Sequence, residues 1–179
     1  MIFGFEKSDK KVVREVLAII AMLLIWAGVN PFQAETPLDE KIPKGVVSEI
    51  ECKFKADESQ VMKGTKYVPD KGVFHYRVFV PKEYEDEGKD RYLCLFIASP
   101  GGNAGMENVK DRAEKDRWIV VMLVESKNGP TEPNLGNFLA AHDDVIQRFR
   151  IHENLKFGTG FSGGARFSTI WPLWRPGFA

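Results

Sequence analysis

The chain has little cysteine and no excess of charge of either sign. Two of its 179 residues are cysteine and they form no CxxC pair, so the sequence predicts no metal site. Lysine and arginine together number 25, as do aspartate and glutamate, and the net charge is zero. A neutral chain has no basic field, so we expect neither a nucleic-acid partner nor electrostatic attraction to an acidic membrane.

The two cysteines leave the redox compartment undecided. Cys94 lies inside the apolar run at residues 92–98 and is expected to be a small buried hydrophobic residue. A disulfide between Cys52 and Cys94 would suit an oxidising compartment, but sequence alone does not give their separation. Both the free and the paired state therefore remain open.

The chain also lacks an apolar run long enough to cross a bilayer. Its longest run, residues 16–29, would span about 21 Å as a helix, whereas a hydrocarbon core measures about 30 Å. A short apolar run preceded by basic residues is typical of a secretory signal peptide, which predicts a secreted or periplasmic protein cleaved after Ala34. Phe32 fits the cleavage site poorly, so an uncleaved N-terminal membrane anchor and a buried core helix stay as alternatives. The basic residues are Lys7, Lys10, Lys11 and Arg14.

The rest of the chain has the composition of a folded α/β domain. Hydrophobic residues make up 44% and charged residues 28% of the chain, which excludes wholesale disorder. We predict a leader at 1–34, a linker at 35–45 and one domain at 46–179. Apolar runs that alternate with helical patterns predict a mostly parallel sheet with helices on both faces. Strands are predicted at 46–54, 73–80, 92–98, 118–124 and 155–159, helices at 106–116, 137–150 and from 165 until Pro172, and a long surface loop at 126–137.

The chemistry-bearing motif is the G-x-S-x-G pattern centred on Ser162. A serine on a sharp strand-to-helix turn projects its hydroxyl above the sheet, and Gly160 and Gly164 must lack bulk because strand and helix approach closely there. The pattern lacks a P-loop lysine and does not match GxGxxG in register, so we expect no cofactor. An ordinary glycine-rich turn is the alternative interpretation.

Backbone N–H groups beside this serine are the candidate oxyanion donors. The turn aims the N–H of Gly163 at a developing oxyanion. The glycine-rich loop at 99–105 follows the predicted strand 92–98, and acyl-transfer enzymes with a serine on such a turn take a second oxyanion donor from a loop in this position. Gly102 is the first candidate and Gly101 the second. The alternative for this loop is a simple strand-to-helix turn.

Residues 72–179 resemble the N-terminal half of an α/β-hydrolase, most closely the secreted esterases of the polyhydroxybutyrate-depolymerase and feruloyl-esterase type. The resemblance implies Ser162 as nucleophile and a small-molecule or polymeric ester as substrate. Many relatives have His-Gly in the oxyanion loop, where this chain has Ser99-Pro100-Gly101. The segments that carry the resemblance are VFHYRVFVPKEY (73–84), YLCLFIASPGGN (92–103), WIVVMLVE (118–125) and LKFGTGFSGGARFS (155–168).

The sequence lacks an acid and a base after Ser162. A serine nucleophile needs a histidine and an orienting acid, and in this superfamily both follow the serine. The 17 residues after Ser162 contain no His, Asp or Glu. We therefore expect a C-terminally truncated chain that is inactive alone. The earlier histidines are interpreted as structural: His75 in a strand, His142 on a solvated helix face where Asp143 does not face it, and His152 at a helix–strand junction.

Three other functions stay open. A serine peptidase has the same elbow, since the motif does not distinguish an ester from an amide. A hydrolase-like binding protein could keep the elbow without its chemistry, and the apolar leader could tether an interaction domain. Trp171 and Trp174 are interpreted as core packing, with a wall of an acyl pocket as the alternative, and the loop at 126–137 is interpreted as either surface or substrate lining.

Overall fold

A computed structural model describes residues 41–53, 73–102, 105–129, 131–175 and 177–178. The predicted leader, residues 1–34, lies outside these ranges, as does most of the predicted linker. In chain order the elements are β1 (Val47–Glu51), β2 (His75–Phe79), β3 (Tyr92–Ala98), a 3₁₀ turn (Pro100–Gly102), α1 (Met106–Asp116), β4 (Ile119–Leu123), α2 (Thr131–Arg148), β5 (Ile151–Gly160), α3 (Gly163–Ser168) and α4 (Trp171–Trp174).

The five strands form one mixed sheet in the order β1-β2-β4-β3-β5. β3 runs parallel to both β4 and β5, while β2 runs antiparallel to both β1 and β4. The carboxyl ends of β3, β4 and β5 therefore meet at one edge of the sheet, and the amino end of β2 lies at the same edge.

Helices cover both faces of the sheet, as predicted. α1 packs on one face, where Met106 and Ala113 contact β4 residues such as Val120. α2, α3 and α4 lie on the other face, over a larger core that includes Phe96. All five residues of β4 are buried, because both of its faces are covered.

The tryptophans after the serine turn belong to this larger core. Trp171 stacks on Phe138 with ring centroids 4.3 Å apart and an angle of 4° between the rings. Gly158 of β5 leaves room for that ring, since a Cβ there would lie 2.7 Å from Trp171 Cε3. Both Trp171 and Trp174 are buried, which confirms the prediction that they pack in the core.

The predicted surface loop at 126–137 is wrong in its second half. α2 begins at Thr131, so the loop between β4 and α2 is short. Pro133 lies in the first turn of the helix, where a backbone N–H would have no intrahelical partner, so proline is tolerated there. Asn134 and Asn137 are buried rather than exposed on a loop. Their side-chain oxygens accept hydrogen bonds from the backbone N–H groups of Lys127 (2.9 Å) and Glu125 (3.1 Å) in the preceding loop, which satisfies them in the interior.

β5 is ten residues long, twice the predicted length, and its outer edge pairs with no described strand. The face that β5 turns toward the α1 side carries Leu155 and Phe157, which are 39% and 45% exposed. The sheet therefore ends in a long strand with apolar side chains on one face.

The two cysteines are free thiols, Cys94 buried and Cys52 half-buried. Burial raises the pKa of both thiols, so neither is a thiolate at neutral pH. No helix of the described residues combines the length and the apolar character that a membrane span needs.

Candidate active site

Ser162 lies at the junction of β5 and α3, in a backbone conformation that L-residues rarely adopt. Its φ is 53° and its ψ is −123°. The side chain is exposed and forms no capping hydrogen bond with α3, so the hydroxyl is not used to hold the helix. A strained serine with an unengaged hydroxyl above the end of a strand is the geometry that a nucleophile elbow requires.

The two outer glycines of the motif are fixed by backbone contacts. A Cβ on Gly160 would overlap the Gly164 carbonyl group, and a Cβ on Gly164 would overlap the carbonyl oxygen of Ala98 at the end of β3. The Phe161 N–H also donates to that Ala98 oxygen at 2.9 Å. Strand and helix thus approach as closely as the sequence predicted, and the turn is tied to the neighbouring strand.

This is an α/β-hydrolase-type fold. The assignment depends on two features: a central set of parallel strands flanked by an antiparallel pair in the order β1-β2-β4-β3-β5, and the serine elbow after β5.

The candidate oxyanion donors beside Ser162 differ in their availability. Gly163 is the first residue of α3, so its N–H has no intrahelical partner. The Gly101 N–H, in contrast, donates to the Ser126 carbonyl at 2.7 Å and is engaged. Gly102 ends the 3₁₀ turn after β3. Gly163 and Gly102 therefore remain the predicted pair of donors.

The loop after β4 reaches the elbow as well. A Cβ on Gly163 would overlap the side-chain oxygen of Asn128, so this exposed asparagine lies directly against the residue that follows Ser162. The sequence alone indicates the whole segment 126–137 as either surface or substrate lining. The only signal in the sequence is that this segment follows the carboxyl end of a strand, where ligands bind in open α/β sheets, and that signal does not single out Asn128.

His75 lies at the same edge of the sheet but far from Ser162. Its Nδ1 is 2.7 Å from Glu125 Oε1, and its backbone N–H donates to Oε2 of the same carboxylate at 2.9 Å. In the strand order β2-β4-β3-β5 it is three strand spacings from β5, or about 14 Å. The His75–Glu125 pair was not predicted, and it is too distant to take a proton from Ser162.

Two predictions about His142 are wrong. The residue is only 6% exposed, buried among Phe96, Phe138 and Phe178, rather than on a solvated helix face. Its Nδ1 is also 3.0 Å from Asp143 Oδ1, although neighbouring helix residues do not ordinarily face each other. The ring is covered because the chain after α4 folds over this face.

None of the three histidines is placed to act on Ser162. His142 lies on α2 beneath the sheet, and His152 is the second residue of β5, about 26 Å along the strand from Gly160. Among the described residues, no three His, Cys, Asp or Glu side chains come together as metal ligands do. The described part of the site therefore consists of the Ser162 hydroxyl, backbone N–H groups and the neighbouring Asn128 side chain.

Comparison with known proteins gives distant structural likenesses. No family model and no curated protein matches this chain. It is similar to a thermostable esterase (18% identity, 64% of this chain and 37% of that one, TM-score 0.46). It is also similar to the fluorophosphonate-binding serine hydrolase F of Staphylococcus aureus (14%, 68% and 49%, 0.44) and to a ferulic acid esterase of Anaeromyces mucronatus (16%, 82% and 59%, 0.44).

This chain covers only part of each of these three solved structures. The chain spans between 37% and 59% of their lengths. At identities of 18% or less and TM-scores of 0.46 or less, they carry no argument about activity. The fold assignment rests on the strand order and the elbow.

Proposed function

We propose that this protein is a serine hydrolase that acts on carboxylic esters, with Ser162 as its nucleophile. The observation that carries the proposal is the backbone of Ser162, which is held at φ 53° in an exposed residue whose hydroxyl forms no capping hydrogen bond with α3. Such strain persists only where the surroundings enforce it, and here the backbone packing of Gly160 and Gly164 does so.

In the proposed reaction Ser162 Oγ attacks the ester carbonyl carbon. A C–O bond forms, the hydroxyl proton passes to a base, and the carbonyl oxygen becomes an oxyanion. The N–H groups of Gly163 and Gly102 donate to that oxyanion, and the acyl-enzyme forms when the alcohol leaves with a proton. Water then hydrolyses the acyl-enzyme by the same steps and restores Ser162.

We propose further that the base and its orienting acid lie outside the described residues. None of the described histidines is available to Ser162. His75 contacts Glu125, His142 contacts Asp143, and His152 lies near the opposite end of β5. A serine without a base reacts orders of magnitude more slowly. The 179-residue chain alone is therefore expected to be inactive.

Labelling by a fluorophosphonate tests whether Ser162 is an activated nucleophile. We expect the protein expressed from its source gene to be labelled at Ser162, and the 179-residue chain alone to be labelled far more slowly. Labelling should disappear in Ser162→Ala and persist in Ser48→Ala, a control on β1. The measurement is mass spectrometry of the labelled peptide. An unlabelled Ser162 in the gene's full product would contradict the proposal and favour a hydrolase-like binding protein.

The choice between ester and amide requires a second measurement. The elbow serves both chemistries, so an esterase is expected to release p-nitrophenol from p-nitrophenyl acetate much faster than p-nitroaniline from a peptide anilide. The opposite preference would identify a serine peptidase of the same fold.

We propose that residues 1–34 direct export. The basic residues before a 14-residue apolar run support this, and the export would place the hydrolase outside the cytoplasm. N-terminal sequencing of the mature protein checks it: a chain that begins at Glu35 is expected, whereas a retained Met1 would indicate an anchor.

A further inference from the structure

A basic cavity lies at the other end of β5 from Ser162. It lies between α2, the amino half of β5 and the residues after α4, and its volume is about 240 Å³. Glu153 and Lys156 line it, and roughly 20 Å of strand separates Glu153 from the elbow. The proposed hydrolase chemistry does not use this cavity. Its basic lining residues are Arg91, His142, Lys156 and Arg175.

Within the cavity wall, the ring of His142 is held in one orientation. Nδ1 lies 3.0 Å from Asp143 Oδ1, and Arg175 holds the Asp143 carboxylate through Nε (3.2 Å) and Nη2 (2.6 Å). The ring also contacts Phe178 at a centroid distance of 5.9 Å. This chain of contacts fixes the ring and leaves Nε2 on the side opposite to Asp143.

That Nε2 atom is buried and has no hydrogen-bond partner among the described residues. His142 as a whole is only 6% exposed. Buried polar atoms are almost always satisfied, and an unsatisfied one in a residue that lines a cavity indicates an absent partner. A small polar molecule in the cavity that His142 lines would provide that partner.

The remaining charges of the lining favour a negative partner. Lys156 is 7% exposed, and its ammonium donates to the backbone carbonyl of Glu153. Arg91 donates to the Ile151 carbonyl at 3.4 Å. Neither Lys156 nor the exposed Arg91 forms an ion pair with a described carboxylate. Burial lowers the pKa of Lys156, and the charge of Glu153, the one acidic group among the lining residues, opposes that shift. Two cations therefore face the cavity against a single exposed carboxylate, which favours a negative partner.

We propose that this cavity is a binding site for a small oxyanion, a phosphate or carboxylate group. Lys156 and Arg91 would donate charge-assisted hydrogen bonds to its oxygens, and a protonated His142 Nε2 would donate a third. Asp143 supports the imidazolium from the opposite side of the ring, through Nδ1.

Binding should be linked to protonation of His142. In the free protein, burial lowers the pKa of His142, with Arg175 and Lys156 acting in the same direction and Asp143 against them. A bound anion offsets the cations on Lys156, Arg175 and Arg91, so it raises that pKa. Anion binding therefore takes up a proton and strengthens as the pH falls below neutrality.

Titration of the full protein expressed from its source gene with inorganic phosphate tests the site, with the His142 ring followed by NMR. We expect saturable shifts of the His142 resonances and a raised pKa for that ring. Arg91→Gln should weaken binding roughly tenfold, the loss of one charge-assisted hydrogen bond. Arg112→Gln is the matched control, because Arg112 is an exposed arginine on α1, on the other face of the sheet.

A parallel titration with acetate distinguishes the two sources of the oxyanion. Tighter phosphate binding would identify a phosphate site, and tighter acetate binding a carboxylate site. Lys156→Met is the second variant and should abolish binding, with thermal unfolding used to confirm that it folds. The proposal is overturned if the His142 shifts do not saturate with either anion, or if Arg112→Gln weakens binding as much as Arg91→Gln does.

Discussion

Ser162 gives the clearest prediction at the level of a single residue. Its positive φ strains any residue with a Cβ, whereas glycine adopts this conformation readily. Ser162→Gly should therefore raise the free energy of unfolding by about 1 kcal/mol, the relieved strain less the added entropy of the unfolded chain. Urea unfolding measures it.

Ser162→Ala is the matched control for that measurement. Alanine removes the hydroxyl but keeps the Cβ, so its free energy of unfolding should stay near that of the wild type. If alanine and glycine stabilise equally, the hydroxyl and not the backbone is the source of strain.

Single residues also show where sequence reasoning stops. The pattern around Ser162 sufficed to predict the elbow and the close approach of Gly160 and Gly164, because these requirements are local. The environment of His142 depends on residues about thirty positions later, Arg175 and Phe178, which fold over α2. No helical periodicity contains that information.

At the level of elements, strands buried on both faces were predictable and the start of α2 was not. A continuous apolar run such as 119–123 has few alternatives between two charged segments. The first turn of α2 contains Pro133 and Asn134, which equally suit a turn. The buried asparagine side chains decide the outcome through hydrogen bonds to the preceding loop, and sequence spacing alone does not show these.

The outer edge of β5 leads to a prediction about association. An edge strand with exposed apolar residues promotes pairing between chains, so we expect the 179-residue chain to be poorly soluble. Phe157→Lys should reduce concentration-dependent association, because a charge on an edge strand opposes pairing. Light scattering across a dilution series measures it.

Leu173→Lys provides the control for the edge. Leu173 is 76% exposed, more than Phe157, but it lies in α4 rather than on a strand edge. An equal reduction in association by both variants would show that general surface apolarity, and not strand pairing, drives association.

For the molecule as a whole, His142 predicts how stability varies with pH. Burial lowers its pKa below the ordinary value of 6.5, so between those two values the unfolded chain binds more protons than the folded one. Stability should then rise with pH up to about 6.5 and fall as the pH drops below it. Urea midpoints at pH 5 to 7.5 measure it, in a buffer without phosphate or carboxylate.

His142→Gln isolates the contribution of this residue. Glutamine does not titrate, so the difference in unfolding free energy between the variant and the wild type should itself vary with pH below 6.5. A difference that stays constant from pH 5 to 7.5 would show that His142 has the same pKa folded and unfolded.

The hydrogen bond from the Gly101 N–H to the Ser126 carbonyl has a consequence for how this protein can diversify. This hydrogen bond joins the turn after β3 to the loop after β4 through main-chain atoms. Side chains in that loop, Asn128 among them, can therefore be exchanged without removing this hydrogen bond. For the proposed hydrolase, substrate preference can therefore change by point substitution in this loop while that main-chain hydrogen bond stays in place.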